Sequence, residues 1–487
     1  MPTKRIPLVG SYINRNVNPT SFTTYDQLFT NCYPEVVKNA ITGTTNVYLN
    51  KRPGTIVGAA LTGVLAPSII GATPVVWTGN TAASAPVAAA FINTGSNDTS
   101  VWDLATDAKI GGDIANTSDC TGLTETTVSG TATLVGNFLD LGTGAVEQWY
   151  FPQGGAWTQV TDGDFVAPVG LPAHINGYTF NMLQNGRIEN SDLNSVSAYT
   201  ANNYFTTNAY PDKGVSVARF GDFILGLGES SIEVLRSRGS TTGSPLFREA
   251  TIPLGCARRS TSGYQPFLAA HGTMYWLATN QEGARIGVYR LNGQSPEKVS
   301  NGAIDKLIES FYGFAGSLFL HGMKHVVLVN SSGNFCFCAD TGFWWRLTQT
   351  GATFISSAIA APGGVTYLTS GASNTSQEFA TVYQDNGSAY TATAQTENVD
   401  FGTDKRKFYS KLRMIGDTQA STSNVGVAYR DEDGASFSAA RNVDMSLADK
   451  SLSGLGAARK RAWKLTHSAN TPWRQEAIEL DFTVGTS

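Results

Sequence analysis

Histidine and cysteine are the residue types here best suited to bind a metal or act as nucleophiles. Two of the five histidines, His321 and His325, have the i, i+4 spacing of a helical zinc pair. The residues between them lack the glutamate of that motif, and residues 325–329 (HVVLV) have the pattern of a strand. The cysteines are odd in number, and Cys336 and Cys338 stand closer together than metal-binding pairs usually do. We therefore expect no metal, no cofactor and no disulfide framework.

Other catalytic sets are equally weak. Arg258 and Arg259 could bind a carboxylate through paired hydrogen bonds, with a surface ion pair as the simpler alternative. Residues 431–437 have some features of the Asp-containing turns of propeller glycosidases, but Arg430 stands where Ser or Thr is needed and the turn does not repeat. The glycine-dense residues 220–228 are surrounded by strand hairpins and have no helix to provide a phosphate site. The sequence thus predicts a protein that is not an enzyme.

Two basic clusters in the last hundred residues are the candidates for a binding surface. The predicted interface residues are Lys405, Arg406, Lys407, Arg459, Lys460 and Arg461. Phe408, Tyr409 and Trp463 are interleaved with them, as aromatic residues are in some nucleic-acid grooves, although strand alternation with one buried face gives the same pattern. Three alternatives stay open: a surface for a partner protein, solvated strand faces, and a contact with DNA.

Composition favours strands and argues against a protein that wraps nucleic acid. The chain has 34 Lys and Arg against 38 Asp and Glu, a net charge of −4, whereas phosphate binding requires a basic excess. Charged residues make up 15% of the chain, and Thr, Ser, Asn and Gly replace them, as in strands joined by tight turns. Residues 56–77 carry no charge, but their glycines and prolines predict short strands and not a membrane helix.

One local pattern recurs between residues 55 and 387. A strand with an aromatic residue runs into a short turn and a polar strand, at residues 101–107, 149–157, 288–293 and 335–344. The first two and the last two copies are each separated by about 48 residues, a spacing typical of propeller blades. The segment therefore has room for six or seven blades, with a generic stack of hairpins as the alternative.

The remaining segments complete an all-β prediction with a β-propeller-like domain in residues 55–387. Residues 1–54 are punctuated by prolines and are predicted as an N-terminal arm without regular structure. Residues 388–487 alternate polar and apolar residues and are predicted as a C-terminal β-sandwich. One short helix is predicted at residues 303–311.

The middle of the chain resembles the tail hub or nozzle proteins of short-tailed bacteriophages, the packaged-DNA stabilisation or head-completion family. The similar stretches are residues 220–224 (FGDFI), 228–233 (GESSIE), 239–243 (GSTTG), 255–257 (GCA), 293–296 (GQSP) and 303–308 (AIDKLI). Order and spacing agree over residues 215–310. Weaker similarity occurs at residues 31–35, 52–54 and 433–437, and residues 55–165 agree least.

The resemblance implies a structural virion protein in the phage tail, assembled in the host cytoplasm. Six copies are expected to form a ring below the portal and adaptor proteins. Needle, fibre or spike proteins would lie below the ring, and double-stranded DNA would pass through it without sequence-specific binding. The ring would extend the DNA channel, retain the packaged DNA and allow its ejection. The alternatives are a propeller that binds or hydrolyses glycans and a tail protein that binds the host receptor.

Overall fold

The computed structural model describes most of the chain, and all statements below refer to that part. The described residues are 3–8, 28–38, 45–61, 63–64, 71–74, 87–93, 98–210, 212–239, 243–260, 263–330, 333–350, 355–360, 365–370, 375–432, 434 and 436–486. The first five strands, β1 to β5, are Thr3–Pro7, Leu28–Thr30, Cys32–Lys38, Thr45–Lys51 and Gly54–Ala60.

Seven antiparallel blades follow one another along the chain. Blade 1 has β6 (Gly71–Pro74), β7 (Val87–Ile92), β8 (Asp98–Asp103), β9 (Ala108–Lys109) and β10 (Ile114–Ala115), and blade 2 has β11 (Thr117–Val128), β12 (Thr131–Asp140), β13 (Val146–Pro152) and β14 (Thr158–Gln159). Blade 3 has β15 (Val169–Ile175), β16 (Tyr178–Met182), β17 (Arg187–Ser191) and β18 (Tyr199–Thr206), and blade 4 has β19 (Gly214–Phe220), β20 (Phe223–Gly228), β21 (Ile232–Ser237) and β22 (Leu246–Ile252).

The last three blades are less regular in their connections. Blade 5 has β23 (Gly255–Cys256), β24 (Phe267–Ala270), β25 (Thr273–Thr279), β26 (Arg285–Asn292) and β27 (Ser295–Lys298). Helix α1 (Gly302–Lys306) and a 3-10 turn (Ile308–Ser310) lead into blade 6, which has β28 (Phe311–Leu320), β29 (Met323–Asn330), β30 (Gly333–Cys338) and β31 (Trp344–Leu347). Blade 7 has β32 (Ile355–Ala360), β33 (Thr366–Ser370), β34 (Thr375–Ala380) and, as its outermost strand, β5 from the N-terminal region.

The ring of blades is closed because β5, from the N-terminal region, completes the last blade. β5 pairs antiparallel with β34, so the seventh blade needs residues from both ends. Tyr367 of blade 7 packs with Phe91 and Trp102 of blade 1 in one buried apolar cluster, so the last blade contacts the first. The fold predicted from the sequence, an all-β propeller of six or seven blades with a C-terminal sandwich, is thus confirmed, and the described residues form seven blades.

Two-residue turns join two consecutive strands near the start of five successive blades. They are Ser129-Gly130, Asn176-Gly177, Gly221-Asp222, His271-Gly272 and His321-Gly322. The first residue of each turn has a positive φ, between 48° and 58°, as the tight hairpin turns of twisted sheets require. Glycine supplies the second positive φ in four of them. This regular recurrence is a sequence pattern that marks the blades.

A β-sandwich is built from strands of both chain ends. Its eight C-terminal strands, β35 to β42, are Ala392–Gln395, Lys407–Gly416, Asn424–Asp431, Arg441–Asp444, Ser451–Ser453, Ala457–Ala458, Arg461–His467 and Arg474–Val484. One sheet has the order β3-β4-β42-β36-β39, with β1 beside β42 and β40 beside β36, and the other has β38-β37-β41-β35-β2. Trp463, Leu480 and Phe482 lie in the core between the two sheets.

The predicted irregular arm is the main difference between sequence and structure. Where residues 1–54 are described, they form β1 to β4, and all four pair within the sandwich. Their prolines misled the prediction, although Pro7 ends β1 and Pro34 lies in the edge strand β3, both positions that tolerate proline. The predicted helix at residues 303–311 is shorter, because its second half is the 3-10 turn and Phe311 already begins β28.

Candidate functional site

The two basic clusters meet at one end of the sandwich. β36 pairs with β40 so that Lys407 lies opposite Ala458, next to the second cluster. The Lys407 ammonium donates to the carbonyl oxygens of Thr403, Lys405 and Arg459, and its side chain is fully buried. Burial lowers the pKa of Lys407. The buried Lys407 side chain therefore connects the two basic clusters through these hydrogen bonds.

Arg461 is also a framework residue. It is 1% exposed, donates two hydrogen bonds to the Asp431 carboxylate, and donates a third to the Leu455 carbonyl oxygen. Its guanidinium lies 4.0 Å from the ring centre of Tyr429 and 4.4 Å from that of Tyr409. Of the six predicted interface residues, the structure thus gives Lys407 and Arg461 internal contacts.

The other predicted residues lie at the surface of the same end. Lys405, Arg406 and Arg459 are exposed, and Lys460 is half-buried. Phe408 is 52% exposed, because it points outward between Ala457 and Thr483 of the neighbouring strands, whose side chains are small. We call Lys405, Arg406, Phe408 and Arg459 the distal tip. An aromatic ring among cations is a composition enriched at protein interfaces.

The distal tip lies far from the propeller. The joint between the sandwich and the propeller is at the opposite end, where the Lys51 ammonium donates to the carbonyl oxygen of Ala469 and the Tyr383 backbone N–H donates to Asn470. β42, with 11 residues, runs from that end to the distal tip. At about 3.3 Å per residue, the strand length separates the two ends by roughly 35 Å.

The joint itself contains a buried ion pair that the sequence analysis missed. Arg52 donates to both carboxylate oxygens of Asp385, at 2.8 and 2.6 Å, and both side chains are 1% exposed. Arg52 also donates to Asn31 and to the carbonyl oxygen of Thr348, and its guanidinium stacks 3.8 Å from the Tyr390 ring centre. Nothing in the local sequence pattern links residues so distant, so only the fold reveals this contact.

A segment of blade 5 contacts blade 2, which is not its neighbour, and we infer from this that it crosses the propeller axis. Both ends of this segment pair with Leu277 of β25. The Ala257 N–H donates to the Leu277 carbonyl oxygen, and the Leu277 N–H donates to the Pro266 carbonyl oxygen. In this segment Arg259 donates two hydrogen bonds to the Asp119 carboxylate of blade 2, one of them 2.8 Å long. Gln265 donates to the Thr121 carbonyl oxygen of the same blade. Blades 2 and 5 are not neighbours, so these contacts span the axis. We call residues 257–260 and 263–266 the axial strap.

The sequence predicted that Arg258 and Arg259 could bind a carboxylate, and Arg259 does bind one, Asp119 of the same chain. Arg258 pairs separately with Glu229, and its side chain is 60% exposed. The axial strap also carries Tyr264, which stacks on Tyr312 of blade 6 with the rings 12° from parallel. Asp119, the carboxylate that the axial strap holds at the axis, is therefore already engaged by an arginine of the chain itself.

The candidate metal and nucleophile residues have structural contacts. His321 bonds the Tyr33 hydroxyl at 2.5 Å, and burial lowers the pKa of His325 to about 3. In the described part of the chain no three His, Cys, Asp or Glu side chains form a group that could hold a metal ion. All five cysteines are buried without disulfides, and burial raises the pKa of each thiol.

A serine–histidine pair that the sequence did not suggest lies in the sandwich core. Ser423 Oγ is 2.9 Å from His467 Nε2, but the serine is fully buried. His467 Nδ1 has no carboxylate partner, and burial lowers the pKa of this imidazole to about 3. The pair has neither access to a substrate nor the acidic residue that orients a catalytic histidine. Among the described residues no helix is long and apolar enough to cross a membrane.

Comparisons with solved structures give only loose likenesses. Streptogramin B lyase is 12% identical over 65% of this chain and 95% of its own, with a TM-score of 0.40. Virginiamycin B lyase from Staphylococcus aureus is 10% identical over 65% and 96%, with a TM-score of 0.39. The computationally designed Ika8 protein is 12% identical over 66% and 100%, with a TM-score of 0.32. These likenesses are too loose to carry an argument about function, and no curated protein matches the sequence.

A family model matches the central blades. The model is described as Bacteriophage P22 Gp10, beta-propeller, and the match covers residues 113–313. That range begins at the end of blade 1 and ends at the start of blade 6, so it contains blades 2 to 5 with the axial strap. It also includes all the stretches on which the resemblance to phage packaged-DNA stabilisation proteins mainly rested. The resemblance is confirmed over these residues: the central blades match the bacteriophage P22 Gp10 β-propeller family, which supports a structural protein of a phage tail.

Proposed function

We propose that the chain is a subunit of the ring-shaped tail hub or nozzle below the portal and adaptor proteins. The ring extends the DNA channel, retains the packaged DNA and allows its ejection during infection. The observation that carries this proposal is the match of residues 113–313 to the P22 Gp10 propeller family. Six copies, assembled in the host cytoplasm, form the ring in this proposal, and the tail needle, fibre or spike proteins attach below it.

The propeller axis supports a channel between subunits and not within one. The axial strap joins the non-adjacent blades 2 and 5 through Arg259 and Asp119, and in this proposal it closes the axis of one propeller to a duplex. A channel for double-stranded DNA must then be enclosed by several copies. The net charge of −4 agrees with a wall past which DNA slides, since like charge opposes phosphate binding.

Assembly with the upstream proteins tests the proposal. Light scattering and negative-stain microscopy would be applied to the purified protein alone and mixed with the portal–adaptor complex of its virion. We expect a closed ring, either free or formed only on the adaptor. A monodisperse monomer that does not bind the adaptor would overturn the proposal.

A further inference from the structure

The outermost strands of the propeller differ in how their open edges are protected. Natural sheets protect edges by short strands, charges, proline, bulges or covering segments, because an open edge pairs readily with other chains. β10 and β14 have two residues each, β18 has a bulge, β22 contains Arg248 and Glu249, β27 contains proline and charges, and β31 is paired with β2. Each of these edges is therefore protected against unwanted pairing.

β5, the outermost strand of blade 7, is different. Its seven residues contain no charge and no proline, and its bulge follows Val57. Ile56 and Val57 are 47% and 46% exposed, on opposite faces of the strand. Among the described residues, the backbone of residues 382, 384 and 386 covers this edge, and it does so only at Gly54 and Thr55. An apolar, half-exposed strand edge of this kind is expected to be covered by another surface.

Carboxylates surround this apolar edge. Glu378 lies opposite Ile56 in the β34–β5 pairing. Asp107 of blade 1 also lies beside β5, because a Cβ built on Gly58 would be 3.0 Å from its Oδ2 atom. Burial, followed by the charges of Glu378, Asp103 and Asp107, raises the pKa of Tyr367 to about 12. Asp107 also accepts a hydrogen bond from Ser376, the neighbour of Gln377 on β34. We call Ile56, Val57 and Glu378 the blade-7 edge; it combines apolar side chains with negative charge.

The distal tip has the complementary properties. Phe408 is the exposed apolar group, and Lys405, Arg406 and Arg459 supply positive charge around it. The charges of the Asp400, Asp404 and Glu432 carboxylates act on the buried Lys407 and oppose the lowering of its pKa by burial. Because the distal tip lies at the far end of the sandwich from its own propeller, the surface that it contacts belongs to another molecule.

We propose that the distal tip of one copy docks on the blade-7 edge of the next copy. This inference rests on the proposed function, since it names the contact that would build the ring. The contact joins two different surfaces, so each copy keeps one free surface and the chain of copies grows until it closes. The occupant of the blade-7 edge is thus a second copy of this chain, identified by its exposed aromatic ring and cations.

Two single substitutions test the contact. Phe408→Asp inactivates the distal tip and Ile56→Asp inactivates the blade-7 edge, while Leu193→Asp, at a leucine that is 52% exposed in blade 3, is the matched control. Ring formation by the purified protein, alone and on the portal–adaptor complex, is measured by light scattering and ultracentrifugation. We expect each of the two variants to lose rings and the control to keep them, with the circular dichroism of all three unchanged.

Mixing the two variants gives a result specific to a head-to-tail contact. The Phe408→Asp copy keeps its blade-7 edge and the Ile56→Asp copy keeps its distal tip, so an equimolar mixture should form one-to-one dimers and no larger species. A pair of charge reversals adds a second measurement: Glu378→Arg should weaken ring formation at least tenfold, and Arg406→Glu in the same chain should restore it. No dimers in the mixture and no restoration would overturn the proposal.

Cross-linking covers the case in which an aspartate disturbs folding. The five native cysteines are buried, so Phe408→Cys and Ile56→Cys in one chain provide the reactive thiols for a short bis-maleimide. A ladder of covalent multimers from assembled tails is expected. Rings that form in the wild type but give no ladder would overturn the docking contact and leave the proposed function standing, whereas a wild type without rings would overturn both. Loss of duplex DNA binding by Phe408→Asp, with rings intact, would instead assign the distal tip to DNA.

Discussion

Arg52 and Asp385 lie 333 positions apart in the chain, yet they form a two-pronged ion pair in which each side chain is 1% exposed. The pair lies where the N-terminal strands, the last blade and the sandwich meet. Such a pair contributes little relative to a well-packed apolar substitute, but loss of one partner leaves a buried charge. The joint is therefore sensitive to single substitutions.

Asp385→Ala should lower the free energy of unfolding by about 3–5 kcal/mol, because it leaves the Arg52 guanidinium without its carboxylate. The double variant Arg52→Met with Asp385→Leu should lose less than Asp385→Ala alone. Urea unfolding followed by tryptophan fluorescence measures both. Equal or greater loss in the double variant would show that the charge itself stabilises the joint.

Lys51, beside this pair, should make stability depend on pH. Burial lowers the pKa of Lys51 to about 7, with Arg52 as the next cause. In the unfolded chain the pKa of lysine is about 10.4, so between these values the unfolded state binds more protons and stability rises with pH, by at most about 1.4 kcal/mol per pH unit. Lys51→Met should thus stabilise the protein most at pH 6 and progressively less towards pH 10. A stability difference that stays constant with pH would contradict this.

The interface of blades 2 and 3 contains a buried amide network. Asn181 accepts from Asn137 and donates to Gln148 and Tyr199, and all four side chains are buried. Asn181→Leu should cost about 1–3 kcal/mol for each polar partner that it leaves without a hydrogen bond. Asn202→Leu, at an exposed position of β18, is the control and should have little effect. Thermal unfolding of both variants measures the difference, and equal melting temperatures would contradict a structural role for the network.

The resistance of the axial strap to local opening should depend on Arg259 and not on Arg258. Arg259→Ala removes the hydrogen bonds to Asp119 and should cost about 1.5–3 kcal/mol, the usual range for bonds between charged groups. Chymotrypsin should then cleave faster at Tyr264. Arg258→Ala, at a residue that is 60% exposed, should leave cleavage unchanged. Similar cleavage of the two variants would mean that Arg259 does not hold the strap.

The sequence predicted the blades well because they are local. Each blade forms from consecutive strands and tight turns, so aromatic strand patterns recur at the spacing of the repeat. The five two-residue turns from Ser129-Gly130 to His321-Gly322 mark successive blades even more regularly.

The arm was misassigned for a corresponding reason. β1 pairs with β42, and the partner of Ile6 is Ile478, a relationship that no local pattern contains. The same reason applies to the interface residues. Pairing across the sandwich decides that Lys407 and Arg461 turn inward while Phe408 turns outward.

The most direct measurement of the central claim is DNA retention by heads that lack this protein. Filled heads with portal and adaptor but without this chain would be prepared, and the nuclease-resistant DNA measured over time with and without added purified protein. The account predicts that such heads lose their DNA and that the wild-type protein, but not Phe408→Asp, prevents the loss. Heads that keep their DNA without the protein, and gain nothing from it, would contradict a role as the tail hub that closes the channel.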